Sequence, residues 1–346
     1  MKSIHEEQGA WVFLVPISNL VLTKAVNFEF KIERTTFVST DKLPKRRKRF
    51  GIPNRISDLK DKNKIGLGDF LSSSACFATL RQTGKLVDWE ETIFEIIREE
   101  LAILALSQLG FVKRQYMSSP SISEEKPRSS RSYYATNAAT GSGTWSNRLL
   151  GGVRPLHIDA AWKRSNQNSF FFDLLKIIRG EIKVAKHWQR DLRNAAILVG
   201  SSQISRDLPH AFLNNMIALE LLLTEQGDSF TEALPARAEA FLGWIGYWKD
   251  ESFEEKIREV YKKRCALVHS GRRDLITRND LFFTDDLLLN LFVNIIGHYN
   301  LFSTKASIIE FSKKVQAEHL LGVKPKVRPK TLRFLHRTYS EKDYQT

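Results

Sequence analysis

Two residues of this chain have types and spacing suited to chemistry, Arg264 and His269 in the run Tyr261-Lys-Lys-Arg-Cys-Ala-Leu-Val-His-Ser-Gly271. Histidine as a residue type titrates near about 6.5, so an imidazole can give or take a proton at neutral pH. A guanidinium carries a fixed positive charge and presents a planar fork to an oxyanion. The pair thus offers proton transfer beside an anion-binding group. Glu220, in the run Ala-Leu-Glu-Leu-Leu-Leu at 218–223, is the acidic residue placed to join them.

The elements that position these groups are helices. Apolar residues Ile257, Val260, Tyr261, Leu267 and Val268 recur at helical spacing from about Phe253 onward. Arg264 stands four residues after Val260 and four before Val268, so it lies on the apolar stripe and must be paired, snorkel outward or face a cleft. Ser270-Gly271 is the expected C-cap. Residues five apart on a straight helix point about 140° apart. Arg264 and His269 therefore converge only if the helix end loosens or a second chain completes the site. Glu220 shares a stripe with Leu213, Met216, Ile217 and Leu223 on a helix opening near Asp207, with Pro209 in its first turn. Opposite charges on two inward stripes predict an ion pair between the helices, and the plainer role of such a pair is to fix register.

Around these helices the chain changes character along its length. Residues 1–117 read as a mixed α/β domain. Strands are expected at Trp11–Val15, through Val26, Phe28, Phe30 and Ile32, and at Ser74–Arg81, and a helix from an Asp88 N-cap to Gly110. The basic run Lys45-Arg-Arg-Lys-Arg49 falls in an expected loop, either gripping phosphates or simply solvated. Residues 118–147, rich in Ser, Gly, Thr, Asn and Pro, read as a linker or long loop and as the domain boundary. Residues 148–322 read as all-helical, with helices at Phe170–Arg179, Glu181–Leu198, Asp207–Thr224, from Ser229, from Ser252, at Leu281–Tyr299 and at Ile308–Leu321. Residues 323–346 form a basic tail, expected to be loose because Pro325 and Pro329 interrupt it. The fold class expected is α+β, with an N-terminal α/β domain followed by an all-α bundle.

Composition narrows the partners. A net charge of +14 over 346 residues favours a polyanion, nucleic acid before a membrane surface. Two cysteines without a CxxC spacing suit a reducing cytosol, and the apolar run Trp11–Leu22 is too short and too polar to span a bilayer. The eight histidines have no HExxH or other ligand spacing, so neither a metal nor another cofactor is expected. Cys265 with His269 is read as a small packed residue and not as a nucleophile.

The segments at 218–223, Leu-Pro-Ala-Arg-Ala-Glu-Ala-Phe-Leu at 234–242 and Val260–Gly271 together resemble the HEPN domains, within them the Apea-like group. That group carries Arg-x4–6-His near the end of a long helix, here Arg264-x4-His269, with Tyr261 three residues before the Arg. Cys265 replaces the usual Ser, and Ser270 stands where Gly often follows the His. The resemblance covers roughly residues 170–300. It implies a four- or five-helix HEPN-like bundle that pairs as a homodimer and cleaves RNA without metal in a two-chain cleft, often in prokaryotic antiphage, abortive-infection or toxin–antitoxin systems. It further implies His269 as acid or base in attack by the RNA's own 2′-OH, Arg264 on the phosphate, and Glu220 and Tyr261 as supports. Lys262, Lys263, Arg272 and Arg273 would track the RNA backbone or simply solvate a helix end. The expected setting is cytoplasmic, with RNA, a second copy, and an antitoxin or phage-derived activator as partners. The rival reading is a non-catalytic RNA- or partner-binding module that keeps the motif for its fold.

Overall fold

The computed structural model describes residues 8–52, 70, 73–89, 91–114, 117–123, 130–136, 143–149, 155–242, 253–323, 332–333 and 335. Its contacts divide the chain into two units, one of residues 1–101, 113–164 and 345–346, the other of residues 102–112 and 165–344. The chain is of mixed α and β structure with a helical C-terminal region.

The first unit is built on β1 (Gln8–Ser18), which pairs antiparallel with β5 (Cys76–Lys85) from Gln8 opposite Lys85 to Ile17 opposite Cys76. Outside β5 lie β4 (Thr36–Ser39) and then β3 (Glu29–Lys31), while β6 (Ser121–Ile122) pairs with the other side of β1, giving the order β3-β4-β5-β1-β6. Cys76–Leu80 is buried without a break and Arg81–Lys85 alternates, so the sheet is covered on both faces at one end and wet on one face at the other. A short parallel pair joins β2 (Leu20–Leu22) to β9 (Leu156–Ile158). The buried Glu100 carboxylate accepts from the backbone N–H groups of Glu33, Arg34 and Thr35, tying the β3–β4 turn to α2 (Thr92–Leu106). Burial still holds its carboxyl above the usual range.

Several sequence expectations change here. The continuous strand expected across Val26–Ile32 is broken, because Thr23 caps a 3₁₀ turn at Lys24–Val26 and Asn27 and Phe28 take positive φ. The basic run is helical, in α1 (Leu43–Phe50), consistent with the helix propensity of straight-chain Lys and Arg. Arg46 and Arg49 both hold Glu29, so those two guanidiniums are already engaged. The expected linker at 118–147 contains β6 and a hairpin of β7 (Ser130–Thr136) and β8 (Gly143–Leu149), whose aromatics Tyr133, Tyr134 and Trp145 favour strand despite polar neighbours. Between residues 113 and 344 the units divide at 164/165, within α3 (Ala160–Gln167). The second half of α2 is apolar and buried all round, as a core helix is, and residues 102–112 count with the helical unit.

The second unit holds α4 (Phe171–Ile178), α5 (Lys186–Ile204), α6 (Leu208–Leu223), α7 (Phe230–Leu242), α8 (Phe253–Ser270), α9 (Arg278–Gly297) and α10 (Lys305–Leu320). The hub is α6, which touches α5, α7, α8, α9 and α10. It is apolar on most of its surface, with a wide buried set from Ala211 to Leu223. Gly200 on α5 leaves no room for a Cβ, since the backbone carbonyl of Ala102 occupies that place. Starts are fixed by side-chain caps: Asp207 accepts from His210 N–H, and Thr277 with Asp280 and Thr304 with Ser307 form reciprocal capping boxes. The tail is not loose throughout, because Arg333 and Leu335 are bonded to α9.

Candidate functional site

The candidate site forms where α8 packs on α6. The two helices run antiparallel there, since Glu220 near the end of α6 meets Arg264, and Arg273 beyond the end of α8 reaches back to Asp207, the cap of α6. The buried stripe of α8 is Phe253, Ile257, Val260 and Tyr261; Arg264 comes next on it and is half-buried.

Arg264 meets Glu220 side-on. Its Nη2 donates to Oε2 at 3.1 Å, and its Nε lies 2.9 Å from Oε1 in a contact that is close without being an aligned hydrogen bond. The carboxylate takes one edge of the guanidinium, and among the described residues Nη1 bonds to no protein group. Tyr261 covers a face of the same group, its ring centroid 5.7 Å from Cζ. Burial raises the Glu220 carboxyl against the pull of the Arg264 charge. Burial, with the Glu220 charge beside it, pushes the Tyr261 hydroxyl up to about 12, so the phenol is neutral at physiological pH. The ion pair expected between the two helices is thus present, with the ring of Tyr261 over it.

His269 is set apart from this trio. The helix stays regular through Ser270, and Gly271 N–H bonds Leu267 O at 3.1 Å, so the end does not loosen before His269. Gly271 then takes φ 64°, and Arg272 N–H folds back to Ala266 O. His269 is exposed. Val268, expected on the buried stripe, is 47% exposed instead, in a stretch where every residue from Val268 to Arg272 is exposed. Five residues of regular helix place the two motif side chains about 140° apart in one chain.

The flanking basic residues divide by partner. Lys263 bonds both oxygens of the buried Asp280 carboxylate at 2.8 and 2.9 Å, which joins α8 to the capping box of α9. Arg272 pairs with Asp274 and Arg273 with Asp207, all exposed at the surface. Lys263 is therefore a structural tie more than a contact for RNA, while exposed pairs such as the other two contribute little and exchange readily for another anion. Lys262 is exposed. Cys265 is half-buried beside Tyr261.

Sequence reasoning missed the groups that brace the site. Arg237 is buried; it donates to Leu223 O at 2.9 Å and holds both oxygens of Asp228 at 2.6 and 2.8 Å, fixing the turn after α6. Asn215 on α6 donates to Thr284 and Asp285 of α9, and Gln203 of α5 donates to the same Asp285 oxygen. The visible signal was polar residues on otherwise apolar stripes, the same signal that marked Glu220 and Arg264.

The chain matches no family model, no curated protein and no solved structure. Among the described residues, no group of three or more His, Cys, Asp or Glu is placed to hold a metal ion, and no helix is long and apolar enough to cross a membrane.

Proposed function

We propose that the chain is a metal-independent RNA endonuclease of the HEPN type that acts as a homodimer, with Arg264 and His269 of two chains lining one cleft. The observation that carries this reading is the side-on Glu220–Arg264 pair under the Tyr261 ring. A carboxylate on one edge fixes the guanidinium and leaves Nη1 for a phosphate oxygen. There it would stabilise the charge that builds during attack by the 2′-OH. His269 would move the proton at the 2′-oxygen or the leaving 5′-oxygen, and its exposure leaves it open to a second molecule. The angular separation of the two side chains in one chain calls for the partner, and exposed Val268 leaves an apolar side chain at the proposed interface. Lys262, Arg272 and Arg273 would follow the phosphates of a substrate attracted by the +14 charge. An antiphage or toxin role, under control of the first unit, an antitoxin or a phage-derived signal, fits such an activity in the cytoplasm.

The test is cleavage of structured RNA in EDTA by wild type and by His269→Ala, with the product ends analysed. The reading expects 2′,3′-cyclic phosphate ends from wild type and loss of at least about 100-fold in rate for His269→Ala, the usual scale of general acid–base catalysis. Equal cleavage by both proteins would sink it. Salt-sensitive RNA binding without cleavage by a dimeric wild type would instead select the non-catalytic module, which the separation of Arg264 and His269 in one chain favours.

A further inference from the structure

On α9, Asn290 and Asn294 stand one turn apart and each holds one residue of the tail by its backbone. Asn294 donates to Arg333 O and accepts from Arg333 N–H, both at 2.8 Å. Asn290 does the same to Leu335, both at 2.7 Å. The spacings match: four residues of helix rise about 6 Å, and two residues of extended chain span about 6.6 Å. Both asparagines are 1% exposed, whereas the side chains of Arg333 and Leu335 face solvent. The contact therefore reads main chain, and any extended peptide presents the same N–H and C=O pairs.

The stripe continues in both directions. Asp286, whose carbonyl accepts a further bond from Asn290, lies one turn before it. One turn beyond Asn294, a cavity of about 280 Å³ opens beside Arg333, lined also by Asp173, Gly297 and His298. The direction from Leu335 to Arg333 points an extended ligand into this cavity. There the carbonyl end of α9 favours a cationic side chain, as does Asp173 where its exposed ion pair with Lys176 gives way.

We propose that the Asn290/Asn294 stripe of α9 is a peptide-docking groove that reads the backbone of an extended basic segment. Arg333 and Leu335 fill it in cis, and an extended basic peptide of another polypeptide exchanges for them. The inference is independent of the RNA-cleaving reading, because no residue of that site takes part.

The probe is a fluorescein-labelled peptide with the sequence of residues 329–338, titrated into the full chain. The full-length Arg333→Pro/Leu335→Pro protein lacks the two tail N–H donors, so its groove should open. It is expected to bind the peptide at least about tenfold more tightly than wild type, the scale of a few net hydrogen bonds. A peptide N-methylated at the positions of Arg333 and Leu335 should bind this variant at least about tenfold more weakly than the unmodified one. Asn290→Leu/Asn294→Leu should abolish binding. Equal binding of the methylated and unmodified peptides, or no binding to the proline variant, would overturn the proposal. The peptide-side comparison decides even where the asparagine variant fails to fold.

Discussion

Arg264 and Glu220 meet edge to edge across two antiparallel helices, with Nε 2.9 Å from Oε1 and side chains only 17% and 10% exposed. A pair this far from water is costly to break, because the surviving charge keeps its desolvation penalty. The same pair fixes the plane of the guanidinium. Stability and orientation are thus tied to one contact.

Arg264→Ala should cost about 3 kcal/mol, since it strands a buried carboxylate. Glu220→Gln, which keeps an acceptor for Nη2, should cost only about 1 kcal/mol. Urea unfolding of the two variants checks the order. Equal costs would mean that the pair is effectively solvated.

Arg237→Ala should destabilise by about 3 kcal/mol, because it takes the buried guanidinium from Leu223 O and leaves the Asp228 carboxylate with only the Glu225 N–H. Arg237→Lys should recover only part of this loss, as a point charge cannot serve both in a fork. Thermal melts of the pair of variants decide the matter.

Glu239 carries a prediction about pH. Burial and the neighbouring Glu254 carboxylate raise its carboxyl to about 7 from 4.5. Arg258 already serves Glu254 and Glu232. A carboxyl raised in the folded state binds its proton more tightly there than in the unfolded chain. Its contribution is fully present below about 4.5 and is lost as pH rises through about 7. Wild type should therefore gain melting temperature relative to Glu239→Gln on acidification from about pH 8 to about pH 5. Parallel melting curves across that window would contradict it.

Two adjacent lysines should separate function from stability. On the RNA-binding reading, Lys262→Ala should reduce the slope of log affinity against log salt by about 1 with no change in melting temperature. Lys263→Ala should lower stability by roughly 1 kcal/mol, since Asp280 loses its charged partner and keeps only its bonds from Thr277. Fluorescence anisotropy across a salt series, with melts alongside, reads both effects.

Much of the helical unit was legible in the sequence, because its signals are local. Start signals such as Asp207 with Pro209, and charges on apolar stripes such as Glu220 and Arg264, announce themselves within a few residues. What escaped depends on distant partners. Nothing near Lys263 shows that Asp280 will claim it, and nothing near Val268 shows that it will be left exposed. The strands at 130–136 and 143–149 were hidden by a polar composition that resembles a loop, and the kink at Asn27–Phe28 by an alternation that a strand shares. The docked tail was unreadable for the same reason: Asn290 and Asn294 look like ordinary polar positions until residues more than 35 further on return to them.

The central claim is a catalytic cleft made by two chains, and subunit mixing tests it most directly. Arg264→Lys and His269→Ala chains, each with a different tag, are co-expressed, and the mixed dimer is isolated through both tags. Its RNA cleavage in EDTA is then compared with that of each parent variant and of wild type. A shared cleft predicts that both parents are nearly inactive and that the mixed dimer, with one intact Arg264 and one intact His269 from different chains, cuts well above either. A mixed dimer no more active than its parents, beside an active wild type, would contradict the two-chain site.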